Sequence, residues 1–158
     1  MASIAQKQLT AEEFLHLPST RMQQELVRGE VVERSPPGML HGVTQIKTGA
    51  RLTAFIDAGL GGVLTSESRI ITERDPDSVR GPDISYWAKD RLKEIPVGYA
   101  EVPPDSIVEV LSPSNTTREI LAKLREYFNK GVRLVWILSP EDRTLTTYRQ
   151  PEEGRLLH

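Results

Sequence analysis

The spacing of apolar residues changes along the chain and predicts a mixture of strands and helices. Two short apolar runs within residues 25–33 flank Arg28-Gly29. They predict a β-hairpin, because glycine readily takes the positive φ that a tight turn needs. From residue 39 to about residue 58 the period becomes helical, and a glycine-rich segment then ends the pattern. On one side of this predicted helix fall Val43, Ile46, Ala50 and Ala54.

Two capping boxes predict where further helices begin. Thr10 with Glu13 predicts the start of a short helix, Ala11 to His16, and Thr116 with Glu119 predicts the start of a longer one. The buried stripe of the longer helix is expected to be Ile120, Leu124, Tyr127 and Phe128. Lys123 lies at the edge of that stripe, so its aliphatic stem can carry the ammonium group toward a sheet.

The remaining apolar runs predict strands, and polar runs separate them. Strands are expected at residues 63–72, 82–87, 106–111, 132–138 and 144–148. The charged residues 73–80 and the proline-containing residues 88–104 are expected to be solvated loops. The strand–helix–strand unit 106–138 favours parallel pairing, and its hairpin-like neighbours favour a mixed sheet. The pattern therefore predicts one α/β or α+β domain over residues 1–158, with a core at about 39–149.

Composition and charge narrow the class of protein. The 158 residues include no cysteine, which excludes disulfides, thiolate metal sites and cysteine nucleophiles. No apolar run approaches the about 20 residues of a membrane span, and residues 1–10 lack a secretory apolar segment. We therefore expect a cytoplasmic protein with no membrane contact. A net charge of −2 weakens a nucleic-acid-binding interpretation without excluding it.

Two carboxylates stand in predicted strands that are otherwise apolar. Asp83 precedes Ile84 at the start of one strand, and Glu109 lies in the middle of another. A buried carboxylate without a partner costs several kcal/mol or takes up a proton, so a shared cation such as Mg²⁺ is one explanation for the pair. A nearby lysine could then stabilise charge on an attacked phosphate. Structural ion pairing explains the same residues, and from spacing alone both interpretations stay open.

The chain resembles the Uma family of restriction-endonuclease-like proteins, within the PD-(D/E)XK nuclease superfamily. The resemblance covers residues 10–149, and its Glu-Val-Leu-Ser-Pro-Ser run, residues 109–114, is specific. Matching segments lie at 25–32, 35–37 with His41, 81–85, 108–114, 123–132, Trp136 and 148–149. The resemblance implies a restriction-endonuclease-like core in the order αβββαβ, preceded by an N-terminal helix and the β-hairpin.

The resemblance also implies a metal-dependent catalytic centre. Asp83, Glu109 and the main-chain carbonyl of Val110 would bind the metal, which would be Mg²⁺, with Mn²⁺ as an alternative. Asp83, Glu109 and Lys123 would be the catalytic residues. The parent motif has its lysine two residues after the glutamate, where this chain has Leu111. The family's use of a lysine from the following helix maps that role to Lys123.

Two further residues are candidates for the same site. Glu25 would add a carboxylate to the metal, as an upstream glutamate does in similar nucleases, or would be a hairpin surface charge. His41 would orient a water or contact phosphate, or would be a solvated residue at a helix start. Glu67 is expected to be structural or exposed. The chain ends sooner after Arg149 than the resemblance leads us to expect, so we predict that a terminal strand or tail is absent.

These expectations lead to one main functional hypothesis and two rivals. The main hypothesis is a Mg²⁺-dependent endonuclease that hydrolyses phosphodiester bonds in DNA, acting as a homodimer because one small subunit with one site cuts one strand. The first rival is a catalytically inactive nuclease-like module for binding or assembly, which the leucine at position 111 and the net charge favour. The second rival is metal-assisted hydrolysis of another phosphate substrate.

Overall fold

The computed structural model describes residues 8–158, which form three α-helices and ten β-strands. The helices are α1 (Ala11–Leu15), α2 (Met39–Phe55) and α3 (Thr117–Lys130). The strands are β1 (Gln23–Val27), β2 (Glu30–Arg34), β3 (Val63–Ser66), β4 (Ile70–Glu73), β5 (Ser78–Arg80), β6 (Ile84–Trp87), β7 (Ser106–Val110), β8 (Leu134–Ser139), β9 (Thr144–Tyr148) and β10 (Gly154–Leu157).

The strands form two sheets rather than a single mixed one. A four-stranded antiparallel sheet has the order β2-β1-β5-β4, and a six-stranded sheet has the order β10-β9-β8-β7-β6-β3. In the larger sheet β7 and β8 are parallel and are connected through α3, as predicted, while the other neighbouring pairs are antiparallel. The expected αβββαβ order is therefore α2-β3-β6-β7-α3-β8, with β4 and β5 inserted after β3.

Helix α3 joins the two sheets through a shared apolar core. Leu124 and Tyr127 of α3 pack with Ile70 from the smaller sheet and Val135 from the larger one. A second apolar cluster fixes α1 against the smaller sheet through Phe14, Leu26, Ile71 and Val79. Because α3 contacts both sheets, polar side chains on its edge can meet residues from either of them.

The local start and turn signals are confirmed. Both capping boxes are present, with the Thr10 hydroxyl accepting from the Glu13 amide and the Thr116 hydroxyl accepting from the Glu119 amide. The hairpin turns at Arg28-Gly29, where both residues have positive φ. Helix α2 continues as a short π-helix, Ile56–Leu60, and Gly59 interrupts its helical geometry with a φ of 143°. The helix predicted over residues 39–58 is therefore an α-helix followed by a short π-helix.

Two predicted elements are wrong in the segment between β3 and β6. Residues 63–72 are two strands in different sheets, because Glu67 adopts a φ of 53° and breaks the extended run. Residues 73–80 are not a solvated loop. Their last three residues form β5, which is buried along its whole length, and Arg80 is only 4% exposed. The buried charge of Arg80 is compensated by Glu25 and Glu126, which lie elsewhere in the chain.

Strand β10 and helix α2 also differ from what the sequence predicts. The strand expected to be absent after Arg149 exists as β10, which pairs antiparallel with β9 although all four of its residues are exposed. On α2 the apolar Val43 and Ile46 are exposed, and the buried residue of that helix is His41.

Within residues 8–158, no helix is long and apolar enough to cross a lipid bilayer.

Candidate active site

Asp83 lies just before β6 and is held between a main-chain amide and a histidine. The Val110 amide donates a hydrogen bond of 2.7 Å to Asp83 Oδ2, and His41 Nε2 lies 3.3 Å from Asp83 Oδ1. The hydrogen bond to Asp83 raises the pKa of His41, although burial of the ring opposes that rise. Asp83 is thereby oriented by two elements, the end of β7 and the first turn of α2.

Glu109 extends from β7 toward α3, where two side chains hold it. Lys123 Nζ lies 3.2 Å from Glu109 Oε1 and 3.3 Å from Oε2, and the Tyr127 hydroxyl donates to Oε1. Burial raises the pKa of Glu109, and the charges of Asp83 and Glu25 raise it further, against the lowering effect of Lys123 and Tyr127. The same group would be favoured in its ionised form by any additional cation beside it.

Lys123 lies between two carboxylates from different sheets. Its Nζ is 3.2 Å from Glu109 on β7 and 3.3 Å from Glu25 on β1. Burial disfavours its charge, but Glu109 and Glu25 outweigh this and raise the pKa of Lys123 above its ordinary value. The ammonium form of Lys123 is therefore favoured, and its positive charge faces both carboxylates.

These groups face an open polar cleft of about 150 Å³. The lining residues come from the hairpin and the segment after it, the start of α2, the β3–β4 turn, the segment before β6, the end of β7 with the turn after it, and α3: Gln23, Gln24, Glu25, Arg34, Ser35, Pro37, His41, Glu67, Arg69, Gly81, Asp83, Glu109, Val110, Ser112, Ser114, Asn115 and Lys123.

The donor set of this cleft fits a small, hard cation. Asp83 and Glu109 would supply carboxylate oxygens, and Val110, whose amide binds Asp83 and which lines the same cleft, would supply its main-chain carbonyl. In the part of the chain that the structure describes, no group of three or more His, Asp or Glu side chains has metal-binding spacing. Mg²⁺ commonly uses only one or two protein carboxylates and keeps several waters. Two acids and a carbonyl therefore fit Mg²⁺ better than a metal that needs a full protein cage.

The structure brings all five predicted side chains to one place. Asp83, Glu109, Lys123, Glu25 and His41 all line the cleft, together with Val110. Whether they act in catalysis remains a prediction. Glu67, which was expected to be structural or exposed, is exposed and lines the same cleft.

Sequence reasoning missed three residues that support these groups. Tyr127 was predicted only as part of the apolar stripe of α3, but its hydroxyl donates to Glu109. Arg34 and Arg80 both contact Glu25, at 3.7 Å and 3.0 Å. Arg34 and Arg80 each lie on a short strand with few apolar residues. The alternation of apolar and polar residues therefore could not show whether either arginine is buried.

Comparisons with known proteins agree with this architecture. A family model described as "Uma2: Putative restriction endonuclease" matches residues 11–158. The crystal structure of "a putative nuclease belonging to DUF820" from Anabaena variabilis ATCC 29413 is similar, with a TM-score of 0.79 and 22% identity. The similarity covers 94% of this chain and 84% of that one, and it confirms the predicted mixed α/β, restriction-endonuclease-like fold. The comparison with curated proteins gave no match.

Proposed function

Since this chain belongs to the Uma2 family, described as "Putative restriction endonuclease", we propose that it is a Mg²⁺-dependent endonuclease that hydrolyses phosphodiester bonds in DNA. The observation that carries the proposal is the meeting of Asp83, Glu109 and Lys123 in one open cleft. The similar Anabaena protein is described as "a putative nuclease", which supports the same class of reaction.

Each residue has a distinct role in the proposed reaction. Asp83, Glu109 and the Val110 carbonyl would hold Mg²⁺, with Mn²⁺ as a substitute. When bound, the ion supplies Lewis-acid polarisation of a phosphoryl oxygen and activates water. Lys123 directs a permanent positive charge into the cleft and stabilises the negative charge that develops on the attacked phosphate. A protonated lysine is suited to this role because it needs no proton transfer before the reaction.

The remaining groups keep the acids in place. The Val110 amide fixes Asp83 Oδ2, and Tyr127 fixes Glu109 Oε1. His41 lies against the other oxygen of Asp83 and orients that carboxylate from α2. Because one chain carries one such site, we propose that a homodimer cuts both strands of a duplex.

Plasmid cleavage tests the proposal. We expect the purified protein to nick supercoiled plasmid DNA with Mg²⁺ or Mn²⁺ and not with a chelator. Asp83→Ala should abolish nicking, because it removes one of the two carboxylates that would hold the metal. Asp90→Ala is the matched control, because Asp90 is exposed and does not line the cleft.

Two results would contradict the assignment. Equal nicking by wild type and Asp83→Ala would place the activity elsewhere or in a contaminant. Absence of cleavage across duplex DNA, single-stranded DNA and RNA would favour the nuclease-like binding module instead. Leu111 at the position of the parent motif's lysine is the observation that favours that alternative. Cleavage of a different phosphate ester in the same panel would change the proposed substrate class but would still support metal-assisted hydrolysis.

A further inference from the structure

A buried arginine connects the smaller sheet to α3 directly behind the cleft. Arg80 on β5 donates from Nε to Glu126 Oε2 at 2.7 Å and from Nη2 to Glu126 Oε1. Its Nη1 donates to Glu25 Oε2 at 3.0 Å. The guanidinium group therefore holds two carboxylates at once, one from α3 and one from β1. A planar guanidinium can do this in a fixed geometry, which a lysine ammonium cannot reproduce.

Glu25 faces Arg80 with one of its carboxylate oxygens and Lys123 with the other. Its Oε2 accepts a hydrogen bond from Arg80. Its Oε1 lies 3.3 Å from Lys123 Nζ and accepts a hydrogen bond of 3.4 Å from the Gly81 amide. Burial opposes the charge of Glu25, but Lys123 and Arg80 together lower its pKa, so it stays ionised. Both of its oxygens are thus committed to donors of this chain.

Lys123 needs such support because its side chain is long and flexible. A lysine side chain has four rotatable carbon–carbon bonds, so one partner fixes its ammonium group poorly. Glu109 approaches from the larger sheet and Glu25 from the smaller one, and the two contacts define one position between the sheets. Without Glu25, the ammonium group would be free to move around the Glu109 carboxylate.

The Glu126 carboxylate alone would be sufficient to compensate the buried positive charge of Arg80. The additional bond to Glu25 connects that pair to a residue that lines the cleft. Buried ion pairs are weak stabilisers compared with apolar residues of similar size, so stability alone explains this arrangement poorly.

We propose that Arg80 and Glu25 are positioning residues that set the Lys123 ammonium group beside Glu109, and that Glu25 is not a metal ligand. The proposal rests on the proposed function for its catalytic meaning, but the position of the ammonium group can be measured without it. This role differs from the two considered for Glu25, because an arginine holds one of its oxygens and Lys123 faces the other, whereas within the described residues neither Asp83 nor Glu109 pairs with an arginine.

Arg80→Lys and Glu25→Gln, each in the full chain, test the proposal with two readouts. The first is the NMR signal of the Lys123 side-chain ammonium in the metal-free protein, assigned by its loss in Lys123→Arg. The second is the single-turnover nicking rate at saturating Mg²⁺ and DNA, corrected for the folded fraction. Arg74→Lys is the matched control, because Arg74 also binds several carboxylates and does not line the cleft.

We expect both variants to shift or broaden the Lys123 signal and to lower the nicking rate at least about tenfold, as small misplacements of catalytic groups do. Mn²⁺ affinity should stay unchanged in Glu25→Gln, and Arg74→Lys should behave as wild type in both readouts. An unchanged Lys123 signal in folded Arg80→Lys would overturn the proposal, as would a loss of Mn²⁺ binding in Glu25→Gln.

The two readouts separate this proposal from the proposed function. If the wild type does not cleave DNA, the proposed function fails, and the ammonium signal still decides the positioning role. If Arg80→Lys does not fold, Glu25→Gln decides alone, because its amide has nearly the shape of the carboxylate it replaces. In that case an unchanged Lys123 signal would refute the proposal and a displaced signal would support it.

Discussion

Replacing Glu126 by glutamine removes a buried negative charge on which Arg80 depends. Glu126 is 9% exposed and accepts hydrogen bonds from two Arg80 donors and from the Thr72 hydroxyl at 3.2 Å. Removing one partner of a buried ion pair usually costs about 3–5 kcal/mol. Because Glu25 still accepts from Arg80, we expect the lower end of that range, about 3 kcal/mol.

Chemical and thermal unfolding measure this cost. For a domain of this size, a loss of about 3 kcal/mol corresponds to a decrease in Tm of about 6–12 °C. Urea titration followed by tryptophan fluorescence gives the free energy of unfolding, because Trp87 is buried in the core that α3 shares with both sheets. The variant should remain folded at room temperature, since domains have about 5–15 kcal/mol of stability.

Glu152→Gln is the matched control for the same chemical change on the surface. Glu152 lies 3.7 Å from Arg125, and their side chains are 69% and 62% exposed. Such exposed pairs contribute little, so we expect a change of less than about 1 kcal/mol. If Glu126→Gln lost no more stability than Glu152→Gln, the buried ion network behind the cleft would not exist as described.

Three further predictions concern the groups that face the cleft. Lys123→Met should abolish plasmid nicking. At a pH where Glu109 is ionised in both proteins, it should keep or strengthen Mn²⁺ binding in calorimetry, because it removes a positive charge beside Glu109; weaker binding at that pH would contradict this. Tyr127→Phe removes a donor that lowers the pKa of Glu109, so its Mn²⁺ affinity should fall below that of wild type at acidic pH, and the difference should narrow as pH rises. Asp83 raises the pKa of His41, so His41 stabilises the fold below its ordinary pKa of about 6.5 and loses that contribution as pH rises through the folded value. The stability advantage of wild type over His41→Gln should therefore be larger at pH 6 than well above the raised pKa, and a constant difference would refute the assignment.

The sequence predicted the elements whose signals are local. The Thr116–Glu119 capping box and the apolar stripe of α3 depend on residues three or four positions apart, and the structure confirms both. The same helical period placed Lys123 at the edge of the stripe, where it reaches Glu109. The hairpin was predictable for a similar reason, since its turn and its two strands lie within a dozen residues.

Pairing between distant segments was not predictable in the same way. Nothing in the sequence period of residues 63–72 shows that Glu67 turns the chain from one sheet into the other. Arg80 looked solvated because an arginine in a charged segment usually is, and its partners, Glu25 and Glu126, lie 55 and 46 residues away. The exposed strand β10 carries few apolar residues, so its pairing with β9 left no clear alternation to detect.

We propose that Asp83, Glu109 and the Val110 carbonyl hold a divalent cation beside the Lys123 ammonium group. Anomalous diffraction from crystals soaked in Mn²⁺ locates such an ion. We expect one strong anomalous peak within coordination distance of both carboxylates and of the Val110 carbonyl, and no such peak in Glu109→Gln crystals soaked in the same way. A wild-type cleft without that peak at saturating Mn²⁺, or a peak of equal height in Glu109→Gln, would contradict it.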